Sequence, residues 1–283
     1  MAGILYVVAT PIGNLGDLSP RAAATLGEVD FVAAEDTRVS AKLLNHLGLK
    51  KPMVSCYRHN EGVRAEGIID RIAAGESCAL CCDAGTPAVS DPGEELVRRA
   101  AERGVTVVPI PGACAAIAAL SACGLATGRF CFEGFLSVSN KHRAARLAEI
   151  KNERRTLVFY EAPHKLKNTL KDLYKTLGER DITLARELTK LHEEIERTTL
   201  SRACEEYSSR EPRGEYVLIV AGAPEEAASE PDEGAALERV RELRNEGLPL
   251  SEACRRAAAE SGLKKGALYK LALADEQGEN SEE

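Results

Sequence analysis

The sequence lacks the features of a membrane-spanning or secreted protein. It contains no run of about 18 consecutive apolar residues, the length that a membrane-spanning helix needs. Its first residues, MAGILYVV, lack the basic start and the small-residue cleavage site of a signal peptide. We therefore predict a cytoplasmic protein without a membrane anchor, in which the nine cysteines stay reduced and mostly act as small buried apolar side chains.

Three familiar ligand-binding motifs are also missing. Cys78 and Cys81 have CxxC spacing, but a strand would place the two thiols on opposite faces, and no second pair has zinc-site spacing. Gly13 and Gly16 follow the first predicted strand without the GxGxxG spacing of a dinucleotide site. The glycine loops carry no phosphate-cradling lysine of the NTPase type. We therefore predict no metal site, no dinucleotide fingerprint and no NTPase.

The most informative stretch runs from residue 78 to residue 95, CALCCDAGTPAVSDPGEE. The apolar start predicts a buried strand that ends at Asp83, and Gly85 permits a positive φ and a close approach of ligand to backbone. Ser90 or Asp91 is the predicted cap of the helix that follows. Ligands of open α/β sheets bind beyond the carboxyl ends of strands, so we predict a ligand loop here. The alternative is an ordinary strand-to-helix turn.

Strands and helices alternate through the first 112 residues, which predicts an α/β domain with a largely parallel sheet. Several predicted strands end in loops with unusual polarity or glycine content, and these loops would converge on one edge. The second half has a similar mixture of elements. We therefore predict two α/β domains, residues 1–112 and 113–222, which fits a length of 283 residues.

The remainder of the chain has a different composition. Residues 223–234 carry five acids and no base, and we interpret them as a linker. Residues 235–274 have the apolar spacing of a small helix-turn-helix module, with a predicted last helix that ends at Ala274. Residues 275–283 carry five more acids and are predicted to be a disordered tail.

The net charge of −7 hides an uneven distribution. Residues 1–222 are balanced, with 29 acidic and 29 basic side chains. Residues 138–175 hold ten Lys and Arg against four Asp and Glu, and residues 235–274 hold eight against five. A phosphate-bearing partner would meet these two basic stretches rather than the average. Ordinary solvated helix faces are the alternative for each stretch.

Six motifs in order resemble one family: LYVVATPIGNLGDLSPRA, AAEDTRVSAKLL, DAGTPAVSDPG, LVFYEAPHKL, ARELTKLHEE and GEYVLIVAG. Together they resemble the ribosomal small-subunit RNA cytidine 2′-O-methyltransferases of the tetrapyrrole-methylase superfamily, which are class III methyltransferases. The resemblance covers about residues 4–222, and the C-terminal helices resemble the family's appended helix-turn-helix module less specifically. It implies two α/β domains with a cleft between them and S-adenosyl-L-methionine as cofactor.

The resemblance also assigns the cofactor contacts. A sulfonium nucleoside needs backbone acceptors, a few placed polar groups and little bulk, which glycine loops at strand ends provide. Cys82, Cys114 and Thr198 depart from the family's usual residues, and Thr198 adds a Cβ where the family has glycine. The implied cofactor contacts are Pro11, Asp83, Ala84, Gly85, Thr86, Val89, Cys114, Ala115 and Glu161.

Catalytic candidates lie in two polar motifs. Lys190 would stabilise the alkoxide of the ribose hydroxyl, or act as a base if burial lowers its pKa. Glu187 or Asp36 would accept the proton or orient Lys190. The alternative is a structural ion-pair network at the domain interface.

The resemblance implies 16S ribosomal RNA in the small subunit as partner, and a homodimer. The C-terminal helices would touch the RNA backbone, and the alternative is a helical bundle that caps the domain. Their basic residues are Arg255, Arg256, Lys264, Lys265 and Lys270. The RNA-contact candidates are Arg38, Lys42, Arg58, His59, His164 and Lys165, with Lys141, Arg143 and Lys167 beside them.

Two other functions remain open at this point. Another methylase of the superfamily would act on a tetrapyrrole or on a modified protein histidine, and it predicts neither a basic surface nor an appended helical module. A DNA-binding regulator whose α/β part senses a small molecule predicts a strongly basic recognition helix. The last predicted helix has three lysines and no arginine, which weakens that interpretation.

Overall fold

The computed structural model describes residues 3–58, 60–224, 233–261 and 263–279. The chain divides into two compact units, Met1–Ala223 and Pro224–Glu283. The first unit contains two five-stranded sheets with helices around them. The predicted α/β class with two mixed domains and a C-terminal helical module is confirmed.

The first sheet is entirely parallel, as predicted, and has the strand order β3-β2-β4-β1-β5. Parallel sheets are covered on both faces, so their strands are apolar almost throughout, and β2 and β4 are buried at every position. Its strands are β1 (Ile4–Val8), β2 (Phe31–Ala34), β3 (Met53–Ser55), β4 (Cys78–Cys81) and β5 (Thr106–Ile110).

Helices cover both faces of this sheet and form a separate apolar core on each. Cys78 belongs to one core and Cys81 to the other, which confirms that the CxxC thiols face opposite sides. Six of the nine cysteines are buried, and none of the nine, all of which lie in the described ranges, forms a disulfide. The helices are α1 (Pro20–Glu28), α2 (Thr37–His46), α3 (Glu61–Ala73) and α4 (Glu94–Glu102), and a short 3₁₀ turn covers Leu15–Asp17.

The start of α4 differs from the sequence prediction. Neither Ser90 nor Asp91 caps this helix; Gly93, at φ +124°, stands at the cap position. The buried carboxylate of Glu61, at the start of α3, accepts hydrogen bonds from the backbone N–H groups of Gly93 (3.0 Å) and Leu96 (2.9 Å). The side chain of Glu61, from another helix, therefore accepts hydrogen bonds from the free N–H groups at the start of α4. Asp91 is not needed as a cap.

The second sheet is mixed and has the order β6-β7-β10-β8-β9. Only β6 and β7 are parallel, and every other neighbouring pair is antiparallel. The strand predicted at residues 198–200 begins four residues earlier, at Glu194. The strands are β6 (Phe130–Phe135), β7 (Thr156–Glu161), β8 (Asp181–Arg186), β9 (Glu194–Thr199) and β10 (Tyr216–Val220).

Four helices accompany the second sheet. The core on one face contains Leu157, Phe159, Leu166 and Leu218, all fully buried. The other face packs against small residues of the first of these helices, and this smaller core borders the site described below. The helices are α5 (Ala115–Ala122), α6 (Asn140–Glu149), α7 (Pro163–Leu177) and α8 (Leu200–Ser209).

The C-terminal unit consists of α9 (Glu233–Asn245), α10 (Leu250–Ser261) and α11 (Lys265–Glu279). Its core includes Ala253, Cys254, Ala257 and Leu268, which are among the apolar positions whose spacing fits a helix-turn-helix. The last helix continues to Glu279, five residues beyond its predicted end, and most of the predicted linker lies outside the described residues. None of the helices in the described ranges has the length and apolar character that crossing a membrane requires.

Candidate active site

A cleft of about 420 Å³ lies within the first unit, between the loops of the two sheets. This volume is typical of sites that hold small molecules and cofactors. Pro11 does not line the cleft, and its neighbour Ile12 does. Of the predicted cofactor contacts, those that line the cleft are Asp83, Ala84, Gly85, Thr86, Val89, Cys114, Ala115 and Glu161.

Hydrogen bonds join the loops that form one wall of the cleft. The N–H of Thr10 donates to the carbonyl of Gly85 at 2.8 Å, and the N–H of Gly85 donates back at 3.0 Å. Gly85 adopts φ +86°, a conformation that glycine reaches without strain. The hydroxyl of Thr86 donates to the carbonyl of Ala113 at 3.0 Å. The loops after β1, β4 and β5 therefore support each other beside the cleft.

Within the described ranges, four residues other than glycine also adopt positive φ: Ala88 (65°), Ser90 (69°), Glu187 (50°) and Thr189 (67°). They fall in two segments that contribute to the cleft, the loop after β4 and the loop after β8. Each such residue costs of order 1 kcal/mol or more, and strained backbone of this kind clusters at functional sites.

One corner of the cleft is acidic. Glu35, Asp83 and Asp91 all line it, and burial raises the pKa of each. The pKa of Asp91 reaches about 6, because burial and then the charge of Glu35 disfavour its ionised form. Arg58 lies nearby and donates to the carbonyl of Ser90 at 3.3 Å. The described residues contain no cluster arranged to hold a metal ion, and the corner suits an organic cation.

The pKa of Asp91 predicts a pH-dependent effect on stability. Because its folded pKa of about 6 lies above the ordinary 3.8, Asp91 favours folding below about pH 4, and this contribution is lost as the pH rises through 6. Asp91→Asn should therefore melt about 2–4 °C above the wild type at pH 7.5, since about 1 kcal/mol remains after solvent screening. At pH 4 the two proteins should melt together.

Thermal unfolding followed by circular dichroism at both pH values measures this difference. Asp17→Asn, on the exposed 3₁₀ turn, is the matched control and should show no such pH-dependent gain. An equal shift of the Asp91→Asn melting temperature at both pH values would contradict the assignment.

Lys190 lies on the other side of the cleft, held by two carboxylates. Its Nζ donates to Oε1 of Glu187 and to Oε2 of Glu215, both at 2.9 Å. Burial lowers the pKa of Lys190, but these two hydrogen bonds outweigh it, so the pKa is raised overall. Lys190 would act as a base only if burial lowered its pKa, and this condition is not met, so Lys190 carries an ammonium charge into the cleft.

Two glycines make room for this group. A Cβ on Gly13, in the loop after β1, would lie 2.5 Å from Cγ of Lys190. A Cβ on Gly214, which adopts φ +76°, would lie 2.5 Å from Cδ of Glu187. The N–H of Glu215 also donates to Oε1 of Glu187 at 2.9 Å. The backbone at Gly13 therefore packs against Lys190, the backbone at Gly214 packs against Glu187, and Glu187 orients Lys190.

The structure does not bring Asp36 into the cleft. Asp36 is the N-cap of α2, where its carboxylate accepts from the N–H of Arg38 at 2.8 Å and pairs with the guanidinium of Arg38 at 2.6 Å. These hydrogen bonds from Arg38 lower the pKa of Asp36 to about 2, so this carboxylate is a weak proton acceptor. An aspartate directly before a helix is itself a capping signal in the sequence.

The predicted RNA contacts have several different positions. Lys42, Arg58 and His164 are exposed, and Lys165 is half-buried at the start of α7. Arg38 is exposed but paired with Asp36, and His59 lies outside the described residues.

Arg143 belongs to a supporting network instead of a free basic surface. Its guanidinium donates to Asp172 at 2.6 Å and to Thr169 at 2.8 Å, and only 12% of the side chain is exposed. The hydroxyl of Thr169 in turn bonds the buried carboxylate of Glu161, which also accepts from the N–H of Ala162 at 2.9 Å. The predicted phosphate contact of Arg143 is therefore wrong, because this arginine holds the wall of the cleft.

Other basic candidates also have partners. Lys167 pairs with Glu211 at 3.1 Å. Arg255 and Arg256 of the C-terminal unit both pair with Glu252, at 2.6 and 3.5 Å. These exposed pairs each contribute little to stability.

Sequence reasoning did not assign several residues that line the cleft. Tyr160 accepts a hydrogen bond from the N–H of Ala116 at 3.1 Å, and its ring lies 5.1 Å from Phe132 and 5.5 Å from Phe135. Burial raises the pKa of Tyr160, so the phenol stays neutral. The FYE sequence at the end of β7 was the available signal. Other residues that line the cleft and were not assigned from the sequence include Asp91, Phe135, Leu188, Glu215, Tyr216 and Val217.

Two family models match the chain. Residues 4–204 match the Tetrapyrrole (Corrin/Porphyrin) Methylases, and residues 230–276 match the RsmI C-terminal HTH domain. The first match covers both sheets except β10, and the second covers most of the C-terminal unit.

Curated relatives match over nearly their full length. The chain is 49% identical to ribosomal RNA small subunit methyltransferase I of Synechocystis sp., covering 96% of this chain and 98% of the relative. Proteins of the same name from Haemophilus influenzae and Pseudomonas aeruginosa are 48% and 49% identical, covering 97% and 96% of this chain and 98% and 97% of theirs.

Solved structures share the fold of the first unit at low identity. The methyltransferase CobJ has a TM-score of 0.60 at 21% identity, covering 78% of this chain and 95% of that one. Uroporphyrin-III C-methyl transferase from Thermus thermophilus, complexed with S-adenyl homocysteine, has a TM-score of 0.57 at 20% identity, covering 77% and 97%. The two family models and the full-length relatives agree, and the chain belongs to the ribosomal RNA small subunit methyltransferase I family of the tetrapyrrole methylases.

Proposed function

We propose that this protein transfers a methyl group from S-adenosyl-L-methionine to the 2′-hydroxyl of a cytidine in 16S ribosomal RNA. The observation that carries the proposal is the ammonium of Lys190, held by Glu187 and Glu215 in a cleft of cofactor size. Full-length relatives at 44–49% identity, all named ribosomal RNA small subunit methyltransferase I, support the substrate class.

The residues of the cleft fit this cofactor. When bound, S-adenosylmethionine supplies a methyl group on a sulfonium centre that an oxygen can displace. Gly85 offers bare backbone, and the acidic corner of Glu35, Asp83 and Asp91 complements the positively charged ammonium group of the cofactor. We place the cofactor against residues 83–86, with Val89, Cys114, Ala115 and Glu161 around it.

Positioning and charge stabilisation account for the chemistry that the chain itself provides. With the cofactor bound, the ribose oxygen would take the methyl group, the electron pair of the broken carbon–sulfur bond would stay on sulfur, and the hydroxyl proton would leave to solvent. Holding the reacting atoms in line supplies up to about 7–11 kcal/mol. Lys190 stabilises the negative charge that develops on the oxygen, and Glu187 orients Lys190. Burial raises the pKa of Glu187, but the hydrogen bond from Lys190 outweighs it and lowers the pKa, so Glu187 is a weak base.

The RNA approaches over basic residues in the segments that follow β2, β3 and β7. Arg38, Lys42, Arg58, His164 and Lys165 are the proposed contacts with the RNA backbone, and the C-terminal unit adds a second basic surface. We further propose that the protein acts in the cytoplasm as a homodimer, as the family resemblance implies. Size-exclusion chromatography with light scattering measures the mass of the assembly in solution.

A methyl-transfer assay tests the function. The protein is incubated with S-adenosylmethionine carrying a radioactive methyl group and with small ribosomal subunits from cells that lack the enzyme. The label should appear in 16S RNA, and nuclease digestion should release it as 2′-O-methylcytidine. Subunits from cells that contain the enzyme are the control and should take up little label.

The alternative methylase function makes a different prediction when a porphyrinoid is added to the same assay. A methylase of tetrapyrroles would label an added porphyrinoid and leave the RNA unlabelled. Label on a base instead of a ribose, or no label in the RNA at all, would overturn the proposal.

A further inference from the structure

One aromatic ring at the cleft is largely exposed. Phe135 is 55% exposed and lines the cleft at the end of β6. Its ring centroid lies 5.5 Å from that of Tyr160, and the planes of the two rings make an angle of 60°. Val89, which also lines the cleft, is 40% exposed. Phe135 is thus supported from within and open towards the cleft.

A β-bulge places the ring there. In the pairing of β6 with β7, Phe132 lies opposite Val158, Gly134 opposite Phe159 and Phe135 opposite Tyr160. Regular alternation would put Phe132 and Phe135 on opposite faces, and the extra residue at Glu133 puts both on the face of Tyr160.

The bulge also depends on a glycine. Gly134 adopts φ +59°, and a Cβ there would lie 2.9 Å from Oγ of Ser90, in the loop after β4. Strand β6 departs from its regular register next to Gly134, where it packs against the loop after β4. A distortion of this kind next to a site commonly re-aims a side chain, and here the re-aimed side chain is Phe135.

The inference rests on the proposed RNA substrate and adds a substrate-positioning residue to it. We infer that Phe135 provides the aromatic face on which the target base stacks while its ribose faces Lys190. A base is joined directly to its ribose, so a 2′-hydroxyl that enters the cleft brings its base with it. Enzymes that act on a single nucleotide commonly hold it out of the stack, and proteins recognise unstacked RNA bases on aromatic rings.

Two substitutions of Phe135 separate stacking from simple apolar packing. Phe135→Leu keeps the apolar character and removes the π-face, whereas Phe135→Tyr keeps the ring. We expect kcat/KM for small ribosomal subunits to fall about tenfold in Phe135→Leu and to stay within about twofold in Phe135→Tyr. A tenfold fall corresponds to about 1.4 kcal/mol, within the range of base–aromatic stacking.

The matched control is Phe130→Leu, at the other end of the same strand, where the ring is 38% exposed and does not line the cleft. It should methylate subunits as the wild type does. Calorimetry with S-adenosylhomocysteine should give the same Kd for Phe135→Leu and wild type.

Three results would overturn the inference, each for a different reason. Wild-type kcat/KM in Phe135→Leu would exclude stacking on this ring. Weaker binding of S-adenosylhomocysteine by the factor that kcat/KM falls would place the adenine of the cofactor on Phe135 instead of the target base. A wild-type protein that labels no RNA would overturn the proposed function itself, and with it the RNA base as occupant.

Discussion

Replacing Lys190 with alanine should lower the rate of methyl transfer by about 10²–10³-fold, the usual effect of removing one group that stabilises a developing oxyanion. Binding of S-adenosylhomocysteine should remain within about threefold of the wild type. The rate should fall because Lys190 acts as a fixed positive charge and not as a base. Its pKa is raised, and two carboxylates hold its ammonium group. Single-turnover methylation of small ribosomal subunits measures the rate, and calorimetry measures the binding.

Lys175→Ala is the matched control, because it removes one lysine from the exposed last turn of α7. Its rate should equal that of the wild type. If Lys190→Ala turns over normally, Lys190 has no catalytic role. If it loses binding of S-adenosylhomocysteine by as much as it loses rate, Lys190 holds the cofactor and does not act on the substrate oxygen.

The second large effect is expected at Gly214. Alanine at this position would adopt φ +76° and place its Cβ within 2.5 Å of Cδ of Glu187, the carboxylate that holds Lys190. The left-handed backbone alone costs about 1–2 kcal/mol. The displacement of Glu187 should add a fall in the rate of methyl transfer of at least tenfold, even at temperatures where the variant is fully folded. Urea unfolding and single-turnover methylation separate the two effects.

Gly104→Ala tests whether the backbone cost alone explains such a loss. Gly104 adopts φ +68°, and a Cβ there would meet no atom within 4 Å. This variant should lose a similar 1–2 kcal/mol of stability and keep its rate. Equal rates for the two folded variants would show that Glu187 does not depend on the space beside Gly214.

The site was predictable wherever it depends on the order of strands. Because β1 and β4 are neighbouring parallel strands, their carboxyl ends meet, and so do the loops that contain Thr10 and Gly85. A glycine after a buried strand is a local signal, and Gly85 indeed adopts a positive φ beside the cleft. The pairing of Lys190 with Glu187, three residues earlier, is likewise a local relation.

Features that depend on distant parts of the chain were not predictable in this way. Glu61 caps α4 from 32 residues away, and Asp91 faces the cleft because it is not needed as a cap. The bulge that re-aims Phe135 depends on the space beside Ser90, which belongs to the other sheet's loops. Local sequence patterns indicate which secondary structure a segment prefers. The positions of these residues depend instead on tertiary contacts, which override that preference.

Asp36 and Arg143 show how a charged residue can mislead. Asp36 stands in a polar motif that suggests chemistry, Arg143 stands in a basic stretch that suggests phosphate binding, and both make hydrogen bonds within the fold instead. Asp36 caps α2, and Arg143 bonds Thr169 and Asp172 behind the wall of the cleft. In each case the hydrogen bonds are made within the protein, so little of the charge is left for a ligand.

The central claim is that the cofactor lies between the two sheets against the backbone of residues 83–86. A crystal structure of the protein with S-adenosylhomocysteine tests it most directly. The account predicts that the ligand contacts Gly85 and the start of α5, with its sulfur on the side of the cleft that Lys190 lines. A ligand bound elsewhere, or a Gly85 loop folded into the space that the cofactor needs, would contradict it.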